Sequence, residues 1–172
     1  MSLYPRPLPS TLAAIPGGTN GVRATLATMV RLTRTGRRDV GIVQLARSIA
    51  LPVPARDYRG EVQACLTWVK LHIRYVADPR DVESVASPDA TLKMQSGDCD
   101  DMSVLLASLL EAIGHRTRFV AFAYNTTDEP YSHVLCQTLL GAGVWVTLDP
   151  TISTSTIGWT PPGATRGMIA HV

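Results

Sequence analysis

The sequence predicts an α+β fold, in which N-terminal helices and a buried central helix pack on an antiparallel sheet. Three observations carry this. Apolar residues recur at helical spacing from residue 19 to about 113. Strand-like runs follow from residue 117 onward, and the connections between elements are short. The length of 172 residues supports one ordinary core and is too small for two cores and a linker.

Residues 1–18 contain Pro5, Pro7, Pro9 and Pro16 and end in Gly17-Gly18, so they read as an extended arm ahead of one domain over 19–172. Thr19 or Asn20 can cap a helix to about Arg37, with Val22, Leu26, Met29, Val30 and Thr33 on one buried stripe. A second helix runs from about Asp39 to Ala50 and is stopped by Leu51-Pro52-Val53-Pro54. A third is expected from Gly60 to about Val76, with Val62, Cys65, Leu66, Val69, Ile73 and Val76 as its seam and Trp68, His72 and Tyr75 beside it. The acidic stretch 78–91, with Pro79 and Pro88, reads as loop. Gly97-Asp98-Cys99-Asp100-Asp101 then opens a helix, Met102 to Ile113, that is apolar nearly all round and is ended by Gly114. Strands are expected at 117–124, 131–140 and 144–149, the last two joined through Gly141-Ala142-Gly143, with a short final strand at 168–172. No internal repeat occurs.

Composition excludes several classes. Hydrophobic residues at 45% and charged residues at 17% are globular proportions. Three cysteines cannot form a disulfide scaffold, and the odd count leaves a thiol free. No apolar run approaches the ~20 residues of a membrane helix, and the first residues lack a secretory pattern, so a soluble protein of the reducing cytoplasm is expected. Charge is uneven: residues 1–60 carry nine arginines against Asp39 and Asp57, and the rest of the chain is net acidic. Arg23, Arg31, Arg34 and Arg38 share a helix face that reads as solvated, with docking of an acidic partner as the alternative. Aromatics are 6% of the chain and none interleave with these arginines, which argues against nucleic acid.

Cys99 is the residue type and position that can carry chemistry. Free N–H groups and the helix dipole at a helix start favour a thiolate, and Asp100 and Asp101, ~100° and ~200° around the helix, are expected to face away from it. For a base, only His133 lies in a strand whose hairpin partner ends in a carboxylate. If Leu139 faces Gly143, His133 stands directly opposite Asp149, where a carboxylate can hold the imidazole in one orientation. Cys65 and Cys136 read as inert core thiols and His72 as a packed core histidine, while His115 and His171 read as surface residues. A metal site at Asp98, Cys99, Asp100 and Asp101 is disfavoured, because neighbouring residues rarely converge on one ion and zinc-type ligand pairs are missing. Neither metal nor cofactor is expected.

The Gly97–Asp101 segment with its Leu/Ala-rich helix, Ser132-His133-Val134 and Trp145-Val146-Thr147-Leu148-Asp149-Pro150 together resemble the transglutaminase-like superfamily. Ile73-Arg74-Tyr75-Val76 and the segment up to Thr91-Leu92 also fit, so the resemblance spans about residues 60–160. It implies a papain-related core in which Cys99 is the nucleophile, His133 the base and Asp149 the orienting group. The chain is similar in particular to small members encoded by phages and prophages, which implies a viral or prophage origin, with virion association as the alternative to the cytoplasm in that case. The accessory domains of the large animal enzymes and any calcium loop are missing, so calcium activation is not carried over. The implied reaction is acyl transfer on a protein or peptide amide through a cysteine thioester, in a peptidase, an amidase or a transglutaminase. Backbone N–H groups at the helix start would bind the oxyanion, with Gln95 as a side-chain candidate. The alternative is a non-enzymatic assembly or binding protein that retains the fold.

Overall fold

A computed structural model describes residues 18–77, 84–124, 131–141 and 143–172. The proline-rich arm, apart from Gly18, lies outside the described residues. Helix α1 (Gly18–Gly36) buries Leu26, Met29 and Thr33 along one stripe and leaves Arg23, Arg31, Arg34 and the following Arg38 exposed. Helix α2 (Val40–Ala50) starts at Asp39, whose carboxylate accepts the Ile42 N–H at 3.1 Å. Helix α3 (Tyr58–His72) starts the same way at Asp57 and buries Val62, Cys65, Leu66 and Val69.

Helix α3 ends four residues short of the expected Val76. Ile73 is extended, and strand β1 (Arg74–Tyr75) pairs in parallel with β2 (Ser96–Gly97). The N–H groups of Arg74 and Val76 donate to the Gln95 and Gly97 carbonyls, so tertiary pairing overrides the helical period here. The stretch expected as loop also holds a helix, α4 (Pro88–Met94), with Ser87 as cap and Pro88 at its first turn. Residues 78–83 of that stretch lie outside the described residues.

Helix α5 (Cys99–Ala112) is the centre of the fold. Every residue from Asp100 to Leu110 is buried, with α1, α2, α3 and α4 around it and the sheet against its remaining side. Removing a leucine side chain such as Leu105 or Leu109 from water contributes about 1.5–3 kcal/mol. Four antiparallel strands, β3 (Thr117–Ala123), β4 (His133–Leu140), β5 (Val144–Leu148) and β6 (Arg166–His171), lie in the order β5-β4-β3-β6. In the β4–β5 hairpin Leu140 faces Val144 and Cys136 faces Leu148. This register is two residues away from the expected one. Gly141 and Gly143, at φ 56° and 87°, make the turn outside the ladder and leave Leu140 paired. A shift of two keeps every side chain on its expected face.

Two histidines exchange their expected environments. His72 is exposed at the last turn of α3, stacked on Trp68 with ring centroids 4.2 Å apart, its Nδ1 2.8 Å from the Trp68 carbonyl. His115 is buried instead, because the chain turns back at Gly114 and sets its Nε2 2.8 Å from the Glu61 carboxylate of α3. His171 is exposed, as expected of a residue near the terminus. Among the described residues no helix is long and apolar enough to cross a membrane.

Candidate active site

The start of α5 is built from its own aspartates. The Asp98 carboxylate accepts the Asp100 and Asp101 N–H groups at 3.2 and 3.3 Å, and Asp101 returns a bond to the Asp98 N–H. This reciprocal cap satisfies donors that a helix end leaves unpaired. The other oxygen of Asp101 accepts the Ala86 N–H at 2.6 Å, tying the segment before α4 to α5. Gly97 is required by this packing, since a Cβ there would stand 2.6 Å from the Asp101 Cβ. Cys99 therefore begins α5 in a fixed position.

Strand β4 brings His133 to the same place. The Val134 N–H donates to the Cys99 sulfur, and one turn further along α5 the Ser103 hydroxyl reaches the Val134 carbonyl at 3.5 Å. The thiol thus lies against the backbone of the residue that follows His133. Cys99 and His133 line one cavity of about 240 Å³, together with Tyr75, Asp98, Asp100 and Tyr131.

His133 is oriented from behind. Its Nε2 lies 2.7 Å from Asp149 Oδ2, and Asp149 is fully buried just beyond the end of β5. With the register shifted by two, the pair sits diagonally across the hairpin rather than directly opposed, a separation that long side chains span. The second carboxylate oxygen accepts the Thr151 N–H at 2.9 Å and the Thr151 hydroxyl at 2.7 Å. The Ser155 hydroxyl donates to the Asp149 carbonyl, and the Lys70 ammonium in turn donates to the Ser155 carbonyl. Burial alone would raise the Asp149 carboxyl, but the bonds from His133 and Thr151 outweigh it and hold the group below its ordinary value. An ionised carboxylate on Nε2 leaves the Nδ1 side of the ring for proton transfer.

The thiol itself departs from expectation. Burial, then the charges of Asp100 and Asp98, push Cys99 up to about 12, against the pull of the Val134 N–H and its own. Asp100 does not face away; it lines the cavity beside the sulfur. Asp98 also takes up the helix-end N–H groups that were expected to stabilise a thiolate. Asp100 is itself held protonated, its carboxyl raised by burial and by the hydrogen bond and charge of Asp98. The resting site accordingly holds a thiol rather than a thiolate.

Gln95, the side-chain oxyanion candidate, stands apart from the cavity: it is exposed, ends α4 at φ 51°, and its carbonyl accepts the Arg74 N–H. Sequence reasoning did not single out Tyr75, Tyr131 or Thr151 for the site. Only the turn-forming Asp-Pro-Thr run after β5 hinted at Thr151. The carboxyl oxygens of Asp98, Asp100 and Asp101 come within 4.8 Å of one another, nearer than adjacent positions were expected to bring them. Each is engaged by α5 or the segment before α4. Cys65 and Cys136 are sealed in the core, and burial raises both thiols.

The sequence matches the family model of the transglutaminase-like superfamily over residues 44–150, a span that holds Cys99, His133 and Asp149. No curated protein matches it. Among solved structures it is similar to a proposed cysteine protease from Cytophaga hutchinsonii at a TM-score of 0.51 and 16% identity, covering 77% of this chain and 51% of that one. It is also similar to a proposed protease from Parabacteroides distasonis, at a TM-score of 0.54 and 14% identity, over 89% of this chain and 36% of the other. The chain therefore spans about half or less of the length of these structures. The helices gathered on α5, the antiparallel sheet and the match over most of the chain lead to one assignment: the protein belongs to the transglutaminase-like superfamily.

Proposed function

We propose that the protein catalyses acyl transfer on a protein or peptide amide, with Cys99 as nucleophile, His133 as base and Asp149 as its orienting group. The observation that carries this is one cavity shared by a thiol and an imidazole, the imidazole held from behind by a buried, ionised carboxylate. His133 takes the Cys99 proton at Nδ1 as the sulfur bonds to the amide carbonyl carbon. The carbon–nitrogen bond then breaks, the leaving amine takes that proton, and a thioester remains. Water attacking the thioester gives hydrolysis; a primary amine gives a new amide. Because the resting thiol is raised rather than lowered, proton transfer to His133 accompanies attack and no standing ion pair is needed. The family supports this chemistry, and the fold is shared with two proteins proposed to be proteases. With the Asp100 and Asp101 N–H groups held by Asp98, the Cys99 N–H is the oxyanion donor left at the start of α5 in this reading, and the reaction takes place in the cytoplasm.

The deciding experiment is alkylation by iodoacetamide at pH 7, followed by peptide mass spectrometry. Cys99 is expected to react far faster than Cys65 and Cys136, and His133→Ala is expected to slow Cys99 by about 10²-fold without loss of fold. Equal Cys99 rates in the wild type and His133→Ala would overturn the reading, since accessibility alone would then explain the labelling.

A further inference from the structure

The cavity has two unlike halves. On one side stand Asp98 and Asp100 of the α5 start, engaged with the α5 backbone and with each other. On the other side stands α1, which contributes Val22, Thr25, Leu26 and Met29 along one face. None of the four carries a charge, and the arginines of α1 lie on its exposed face. Leu26 and Met29 are 3% and 0% exposed and close the cavity from beneath, while Val22 is half-buried at its rim.

We propose that this face of α1 is a specificity wall that receives an aliphatic side chain of the substrate next to the amide attacked by Cys99. The proposal rests on Cys99 being the nucleophile. Its chemistry follows from the lining. A polar or charged side chain laid on this face would lose water and meet no hydrogen-bonding side chain but the Thr25 hydroxyl, whereas an aliphatic one gains buried apolar area. Met29 is unbranched and adapts to more than one shape. The volume of about 240 Å³ is below the ~300–1,000 Å³ typical of drug-sized ligands and suits one side chain with its adjoining peptide unit. The family match begins at residue 44, so α1 lies outside the segment that carries the proposed triad. Chemistry from the matched segment and selection from a helix outside it is a division that lets one fold serve different substrates.

The test compares two iodoacetamides carrying different N-substituents, isobutyl and 2-aminoethyl. The Cys99 rate of each is divided by its rate with free cysteine. The wild type is expected to favour the isobutyl reagent by roughly tenfold. Val22→Asp is expected to abolish or reverse that preference, and Val22→Thr, which keeps the shape, to reduce it in part. The Thr variant decides the matter if the Asp variant fails to fold. Equal normalised rates in the wild type, or a preference unchanged by both substitutions, would overturn the wall. A Cys99 rate that does not depend on His133 would instead overturn the nucleophile reading, and this proposal with it.

Discussion

Cys65 and Cys99 are both pushed up to about 12, yet they sit in opposite circumstances. Cys65 lies in the seam of α3, wholly covered, and burial is the main cause of its shift. Cys99 is only half-buried: it opens onto a cavity, receives a backbone N–H from Val134 and shares that cavity with His133. If Cys99 is the nucleophile proposed above, the difference teaches that thiol acidity alone does not mark one in this fold. What separates the two is an open cavity and an imidazole held in place beside it.

Three substitutions press on that distinction. The largest effect is expected from Asp149→Asn, which keeps the shape of the group that orients His133 but removes its charge. The His133-dependent part of Cys99 alkylation is expected to fall by roughly 10²-fold or more, read as a pH–rate profile that approaches that of His133→Ala. An unchanged profile would reduce Asp149 to a structural partner.

Asp100→Asn is next. The folded state holds the Asp100 proton above the ordinary carboxylate range, so its contribution to stability is complete below the unfolded value and is lost as pH rises through the folded one. Asparagine retains the acceptor for the Asp101 N–H and abolishes this loss. The variant is expected to be about 1–2 kcal/mol more stable than the wild type at pH 8, with little difference at pH 3, by urea denaturation at both pH values. Because Asp100 is already neutral in the resting site, the variant should leave the Cys99 alkylation rate near neutral pH unchanged.

The smallest effect is expected from Thr151→Val, which deletes one of the two donors on the second Asp149 oxygen. Asp149 is depressed in the folded state, so its stabilisation is present above the unfolded carboxylate value and is lost as pH falls through the folded one. Removing the hydroxyl weakens the depression by about 1 kcal/mol and moves acid unfolding to higher pH, measured by thermal melts from pH 5 downward.

How much of this was legible beforehand depended on the range of the signal. Helix α5 was readable because its apolar residues run almost without interruption and Gly114 stops it. The meeting of Cys99, His133 and Asp149 was readable because each sits at a local landmark: a helix start, a strand start and a strand end. The β4–β5 register was not, since Gly141 and Gly143 allow more than one turn and only the packed ladder selects among them. His72 and His115 were misplaced for a related reason. A carbonyl of the same helix satisfies one and Glu61, 54 positions away, satisfies the other, and neither partner is visible in a periodicity. Asp100 was misjudged because a helical wheel ignores the sheet: β4 closes over the start of α5 and makes neighbouring positions share one enclosure.

The encasement of α5 has one more consequence. Its amides are shielded by four helices and a sheet, so they should open to deuterium only when the whole molecule unfolds. Cys99 is anchored to the slowest-exchanging piece of the chain, and its sulfur should keep its place through partial openings that release the outer elements.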